Sequence, residues 1–156
     1  MANIKNISIL GLGIILFYLL FGSSDIKIQN YDYDVTIYRD NWGVPHIYGK
    51  KDTDTAFGLA YAHSEDDFET LQDVLLALRG QLASVKGKDS APVDYLVGML
   101  RVWETVNNRY DSDLSQEVKD LCSAYADGVN LYMEKHPDKI VGDLYPVTAK
   151  DIVAGF

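Results

Sequence analysis

The sequence holds one cysteine, Cys122, so no disulfide can close within the chain. CxxC metal spacing and a lipid-attachment cysteine near the N-terminus are both ruled out. Basic residues are scarce too. Fourteen Lys and Arg stand against 23 Asp and Glu, a net charge of −9. A surface that acidic repels phosphate backbones and anionic headgroups, which argues against nucleic acid as a partner. The three histidines, His46, His63 and His136, fit no zinc-protease spacing, and no G-x-S-x-G elbow is present. Gly87-Lys88 runs into Asp89 with no glycine five residues earlier, so there is no phosphate-binding loop. Asp52-x-Asp54 and Asp111-x-Asp113 begin like calcium loops, but Phe57 and Gln116 stand where glycine is required. Those acids read as solvated helix entries. His63 and Asp67 lie four apart, and two ligands without a third read as a surface pair.

What is present points to a folded, exported piece. Apolar residues make up 47% of the 156, enough for a real core and against disorder. Lys5 precedes an apolar run, Ile7 to Phe21, and small residues Gly22-Ser23-Ser24 follow. This describes a secretory signal over residues 1–24, with residues 25–156 as the exported part. An N-terminal membrane anchor is the alternative, although a spanning helix wants ~20 apolar residues.

Val35 to Arg39 alternates and is β-branched, Asp40-Asn-Trp-Gly43 supplies turn chemistry, and Val44 to Tyr48 returns, which predicts a β-hairpin. Asp52 and Thr53 offer a cap to a first helix. Ser64-Glu-Asp-Asp67 has the form of a capping box, after which Phe68, Leu71, Val74, Leu75 and Leu78 keep helical spacing up to Gly80. Val93 to Tyr110 predicts one further helix, with Leu96, Leu100, Trp103 and Val106 on one side. Ser115 caps another, whose stripe runs Val118, Leu121, Cys122, Tyr125, Val129, Tyr132 and Met133 before Pro137 stops it. Thr148-Ala-Lys-Asp151 opens a last helix that has a start signal and no stop, so the sequence is expected to be part of a longer product. The fold class is α+β, a hairpin followed by a mostly helical segment.

Read from the residues alone, the chain carries no catalytic set. Ser64 and Ser115 read as caps, and Cys122 as a small buried hydrophobe. Arg39, Asp40 and His46 read as hydrogen-bonding within the fold, and Gly43 and Pro45 as setting the turn and strand entry. Gly128 reads as permitting close helix packing, Asn130 as a buried polar anchor, and Trp42 and Trp103 as core or interface anchors.

One resemblance goes further. Tyr38-Arg-Asp-Asn-Trp-Gly-Val-Pro-His-Ile-Tyr48 resembles the opening of penicillin acylase family α chains. In register after it come Phe57-Gly-Leu-Ala-Tyr61, Ser64-Glu-Asp66, Arg79-Gly80-Gln-Leu-Ala83, Tyr125-Ala-Asp-Gly128-Val-Asn130 and Val147 to Ala154. Asp67, Ser64 and Val147 depart from the common Arg, Ala and Trp of that family. The acidic Glu-Asp-Asp version leans toward its acyl-homoserine lactone and aculeacin acylase branch. The resemblance implies a piece of a four-layer αββα N-terminal nucleophile hydrolase. Its nucleophile, a Ser opening a β chain cut from the same precursor, lies outside this sequence, and no catalytic residue can be carried onto it. Structural calcium in some complete members, a small-molecule amide substrate and a β-chain partner are implied likewise. The rival expectations are a non-catalytic exported helical module that binds a partner, and an inert, truncated acylase.

Overall fold

The computed structural model describes residues 31–155; the expected leader at 1–24 lies outside them. Strands β1 (Val35–Arg39) and β2 (Pro45–Gly49) pair antiparallel, with Ile37 opposite Ile47 and Arg39 opposite Pro45. The alternation predicted for them holds: Val35, Ile37 and Ile47 turn inward, while Thr36, Tyr38, His46 and Tyr48 face out. Gly43 adopts φ +82°, the left-handed turn geometry that a side chain resists.

Helix α1 (Asp52–Leu78) begins at Asp52, so its cap lies one residue before the expected Asp52 and Thr53. Lys51 is the capping position, and the Asp54 carboxylate accepts its N–H at 3.0 Å. The expected restart at Ser64 is also wrong. Ser64 is fully buried and its hydroxyl donates to the Ala60 carbonyl at 2.8 Å, so the helix runs straight through it. The break falls at Asp67 (φ −153°, ψ 67°), whose Oδ1 accepts from the Thr70 N–H and caps the second half. A buried hydroxyl satisfied by its own helix has nothing left for a cap. At the far end Gly80, at φ +66°, donates to Ala77, and Gln81 donates to Leu76, a Schellman closure.

Two short elements follow: α2 (Leu82–Lys86), capped by the Asp94 carboxylate, and α3 (Ala91–Met99). The single helix predicted over 93–110 is two. Arg101 takes a left-handed φ of 54° and α4 (Val102–Asp113) starts afresh. The break lets the Trp103 indole donate to the Leu78 carbonyl at 2.8 Å and buries Val106. Leu96 and Leu100, predicted to share that face, are left 47% and 61% exposed.

Helix α5 (Gln116–Lys135) follows its prediction except at Val118, which heads the expected stripe but lies in the first turn and is 40% exposed. Ser115 accepts from the Val118 N–H, His136 is the C-terminal cap, and Pro137 begins a 3-10 turn. Helix α6 (Ala149–Val153) starts at Thr148, whose N–H and hydroxyl both reach the Asp151 carboxylate at 2.7 Å. The core lies where α1 and α5 cross and includes Leu71, Leu75, Leu76, Val129, Met133 and Leu144. Full burial of each such side chain is worth about 1.5–3 kcal/mol. Gly128 sets the separation. A Cβ there would lie 2.3 Å from the Phe57 carbonyl oxygen and 2.8 Å from the Ala60 Cβ. Gly58 does the same for the hairpin, since its Cβ would meet Val35 at 2.6 Å and Ile47 at 2.9 Å.

The obstacle at Gly128 is backbone and cannot rotate away. Gly128→Ala should therefore cost at least the ~1–3 kcal/mol of an overpacked core, despite the better helix propensity of alanine. Urea unfolding followed by circular dichroism reads this, and an unchanged midpoint would refute the close crossing.

Candidate functional site

Two polar clusters gather most of the residues singled out in the sequence. The first joins the hairpin to the middle of α1. The Arg39 guanidinium donates to the Gly43 carbonyl at 2.9 Å and pairs with Asp66 at 2.8 Å and Glu65 at 3.1 Å. Asp40 folds back on the turn, accepting from the Trp42 and Val44 N–H groups at 2.8 and 3.0 Å, with His46 Nε2 at 3.3 Å on its other oxygen. The Trp42 amide first, then His46 and the Val44 amide, hold the Asp40 carboxyl below its usual range. Arg39, Asp40, Gly43, His46 and Asp66 thus form one constellation, with Pro45 opening the strand beside it. Trp42, at the apex, is 90% exposed and anchors no core among the described residues.

The second cluster fastens the end of the helical unit. Arg79 forks onto Asp151, with Nε to Oδ1 at 2.6 Å and Nη2 to Oδ2 at 2.9 Å. Its remaining donors take the carbonyls of Asp143 at 2.9 Å and Pro146 at 2.8 Å. Asp151 is 1% exposed. Burial by itself would raise its carboxyl, but Arg79 and Thr148 more than offset that and hold it below the ordinary range. Sequence reading found Asp151 only as a cap and Arg79 only as a motif position, because a pair 72 residues apart leaves no local spacing. Nearby, Asn130 exchanges two 2.8 Å hydrogen bonds with the Val147 backbone, as a strand neighbour would. Gly80 lies in the turn after Arg79, and the Tyr125 hydroxyl is 2.8 Å from His63 Nδ1.

None of these groups forms a nucleophile and base pair among the described residues. The Ser64 hydroxyl is committed to Ala60, and burial pushes the Cys122 thiol up, away from the reactive thiolate. Among the described residues no three His, Cys, Asp or Glu side chains converge as a metal site, so no calcium ligand is assigned. His63 bonds to Tyr125, and Asp67 caps Thr70, so the spaced pair is not a ligand set. The clusters are architecture.

The penicillin amidase family model matches residues 34–153, from the start of the hairpin to the last helix. The chain belongs to that family. It is 27% identical over 122 residues to the acyl-homoserine lactone acylase QuiP of Pseudomonas syringae pv. syringae, covering 78% of this chain and 15% of that protein. To the penicillin acylase 2 proenzyme of a Pseudomonas species it is 31% identical over 111 residues, 71% of this chain and 14% of that one. The chain therefore spans about a seventh of the curated relatives it matches. A solved thermostable penicillin G acylase from Alcaligenes faecalis superposes with a TM-score of 0.67 at 24% identity, over 80% of this chain and 71% of that chain. The hairpin and helices thus share the fold of a penicillin amidase chain, and the residues of the two clusters serve here to hold it.

The Arg79–Asp151 clasp makes two expectations. Arg79→Ala strands a buried carboxylate and should cost about 3–5 kcal/mol, and Arg79→Lys should not restore it because an ammonium cannot make the fork. Because the folded carboxyl is depressed, its stabilisation is present above the ordinary aspartate value of about 3.9 and is lost as pH falls through the lower folded one. Asp151→Asn should flatten that acid slope. Urea midpoints between neutral and strongly acidic pH test both, and a lysine variant as stable as the parent would refute the fork.

Proposed function

We propose that the chain is the α-chain region of an amide hydrolase of the N-terminal nucleophile type. It would act on an N-acylated small molecule, namely an acyl-homoserine lactone, a lipopeptide or a β-lactam, and release a carboxylic acid and an amine. The observation that carries this reading is the family match from residue 34 to 153, a range that takes in hairpin, crossing and clasp. In the proposed chemistry a Ser at the head of a β chain attacks the amide carbonyl. Its own α-amino group serves as base, and water later releases the acyl group. This chain's share is positional: its charged residues brace the hairpin and helices against which the β chain packs. Structural calcium, where present, would be held by carboxylates outside the described residues. The apolar run from Ile7 to Phe21, read as a secretory signal or a membrane anchor, would export the whole.

The surface supports a companion chain. Tyr95, Met99 and Leu100 cluster exposed at the end of α3. An open, mostly apolar groove of about 460 Å³ runs beside α6, lined by Leu59, Leu78, Leu121, Tyr125 and Ile152. Apolar surface so grouped is the mark of an interface.

Expressing the gene with whatever coding sequence follows Phe156 tests the reading. The expected product is two chains, the second beginning with Ser, that hydrolyse an N-acyl homoserine lactone or a penicillin by chromatography of the released acid. Residues 25–156 alone should bind a hydrophobic dye and turn over nothing. Turnover that co-purifies with this piece, or a dye-silent monomer encoded by a frame that stops at Phe156, would defeat the proposal.

A further inference from the structure

A cavity of about 490 Å³ opens on α1 beside the kink at Asp67, walled by α2, α5 and the turn after α5. Phe68 and Tyr132, with rings 5.0 Å apart, give it an apolar lining together with Val85 and Val141. Gln72 lines the same space and is only 6% exposed. Its Oε1 accepts the Val141 N–H at 3.2 Å, which fixes the orientation of the carboxamide. The amide nitrogen, Nε2, has no partner among the described residues, and it is not shut off from the cavity. A donor on so buried a side chain calls for an acceptor. Lys139, two residues before Val141, lines the cavity as well. Its ammonium donates to the Tyr132 hydroxyl at 2.9 Å and lies 5.4 Å over that ring. Among the described residues no carboxylate pairs with it. An unused amide donor and an unpaired ammonium together suit a carboxylate.

The α1 wall has the opposite sign. Glu65, Asp66, Asp67, Glu69 and Asp73 all border the cavity, and the one other cation lining it is Lys86. Lys86 meets Asp73 at 2.8 Å and Glu69 at 3.6 Å, while Glu65 and Asp66 share Arg39 of the hairpin. The second Asp73 oxygen, Oδ1, is buried with no partner, so that carboxylate is half satisfied. The excess of acid draws an ammonium in and opposes a plain anion. We propose that this cavity binds a free α-amino acid with an apolar side chain. The ligand carboxylate takes Gln72 Nε2 and Lys139, its ammonium faces the acidic wall, and its side chain lies against Phe68 and Tyr132. The volume is that of a small-molecule pocket. A simple carboxylate or a simple amine answers one wall and offends the other, so the zwitterion is the selective ligand.

Saturation-transfer NMR titration with L-leucine tests this, on the protein expressed with whatever coding sequence follows Phe156. Saturable binding is expected, with a Kd of about 1 mM or tighter. Leucinamide, which lacks the carboxylate, and isocaproate, which lacks the ammonium, should each bind about tenfold more weakly. Gln72→Glu keeps the acceptor for Val141 and turns the free donor into an anion; Lys139→Met keeps the stem and removes the charge. Each should weaken leucine binding about tenfold or more. A circular-dichroism melt shows whether the variants stay folded, and if Gln72→Glu does not, Lys139→Met decides alone. The proposal is overturned by an absence of saturable leucine binding, which would mean that Gln72 is merely hydrated. Leucinamide or isocaproate binding as tightly as leucine also overturns it, as does undiminished binding in folded Lys139→Met.

Discussion

The structure depends on how closely α5 can approach α1, and that distance is set at Gly128, where no side chain separates the helix from the Phe57 carbonyl. Everything else is placed by that contact. Phe57 is fixed at the crossing and offers its ring to Tyr31 and Tyr33. The next residue along α1, Gly58, leaves room for the hairpin to rest on the same helix. Two residues beyond Gly128, Asn130 faces the loop before α6 and pairs with Val147 as a strand would. A larger residue at the crossing would move all of these together, since packed interiors transmit a displacement instead of absorbing it.

The Arg79–Asp151 clasp closes what the crossing begins. Helices α1 and α5 bury a shared stripe, but α6 is only five residues long and cannot hold itself. Its first turn is fixed by Thr148 and Asp151, and the same carboxylate receives the fork of Arg79 from the end of α1. The remaining guanidinium donors take the loop carbonyls of Asp143 and Pro146, which no helix pairs. One side chain thereby organises the helix end, the loop and the next helix. Such a pair contributes less net stability than its geometry suggests, because both charges were first taken out of water. Its value is in fixing one arrangement.

How much of this was legible in the sequence follows from how local each feature is. The hairpin, the α5 stripe beyond Val118 and the caps at Ser115 and Thr148 rest on residues within a few positions of each other, and the pattern placed them correctly. Ser64 and Asp67 show the limit. Both can cap, and the choice between them turned on burial, because Ser64 faces the core and spends its hydroxyl on Ala60. Arg101 is a second limit, since no glycine or proline announces its left-handed turn; the strain there is offset by Trp103 reaching Leu78. Among the motif residues, Arg39 and Arg79 were visible as types in a family pattern. Their partners, 26 and 72 residues away, were not.

The distribution of polar side chains bears on function as well. In a catalytic centre, ionisable groups are left with incomplete pairing so that a substrate can complete it. Here Arg39 and Arg79 are each met by a carboxylate and by backbone carbonyls, and Asp40 and Asp151 each accept more than one donor. Groups so fully engaged resist reorganisation and suit a scaffold. The unsatisfied surface is apolar instead, at the end of α3, along the groove by α6 and at the exposed Trp42 apex. The engaged charges of the two clusters hold the chain's own fold, and the exposed apolar groups at these three places are what the proposed β chain would bury.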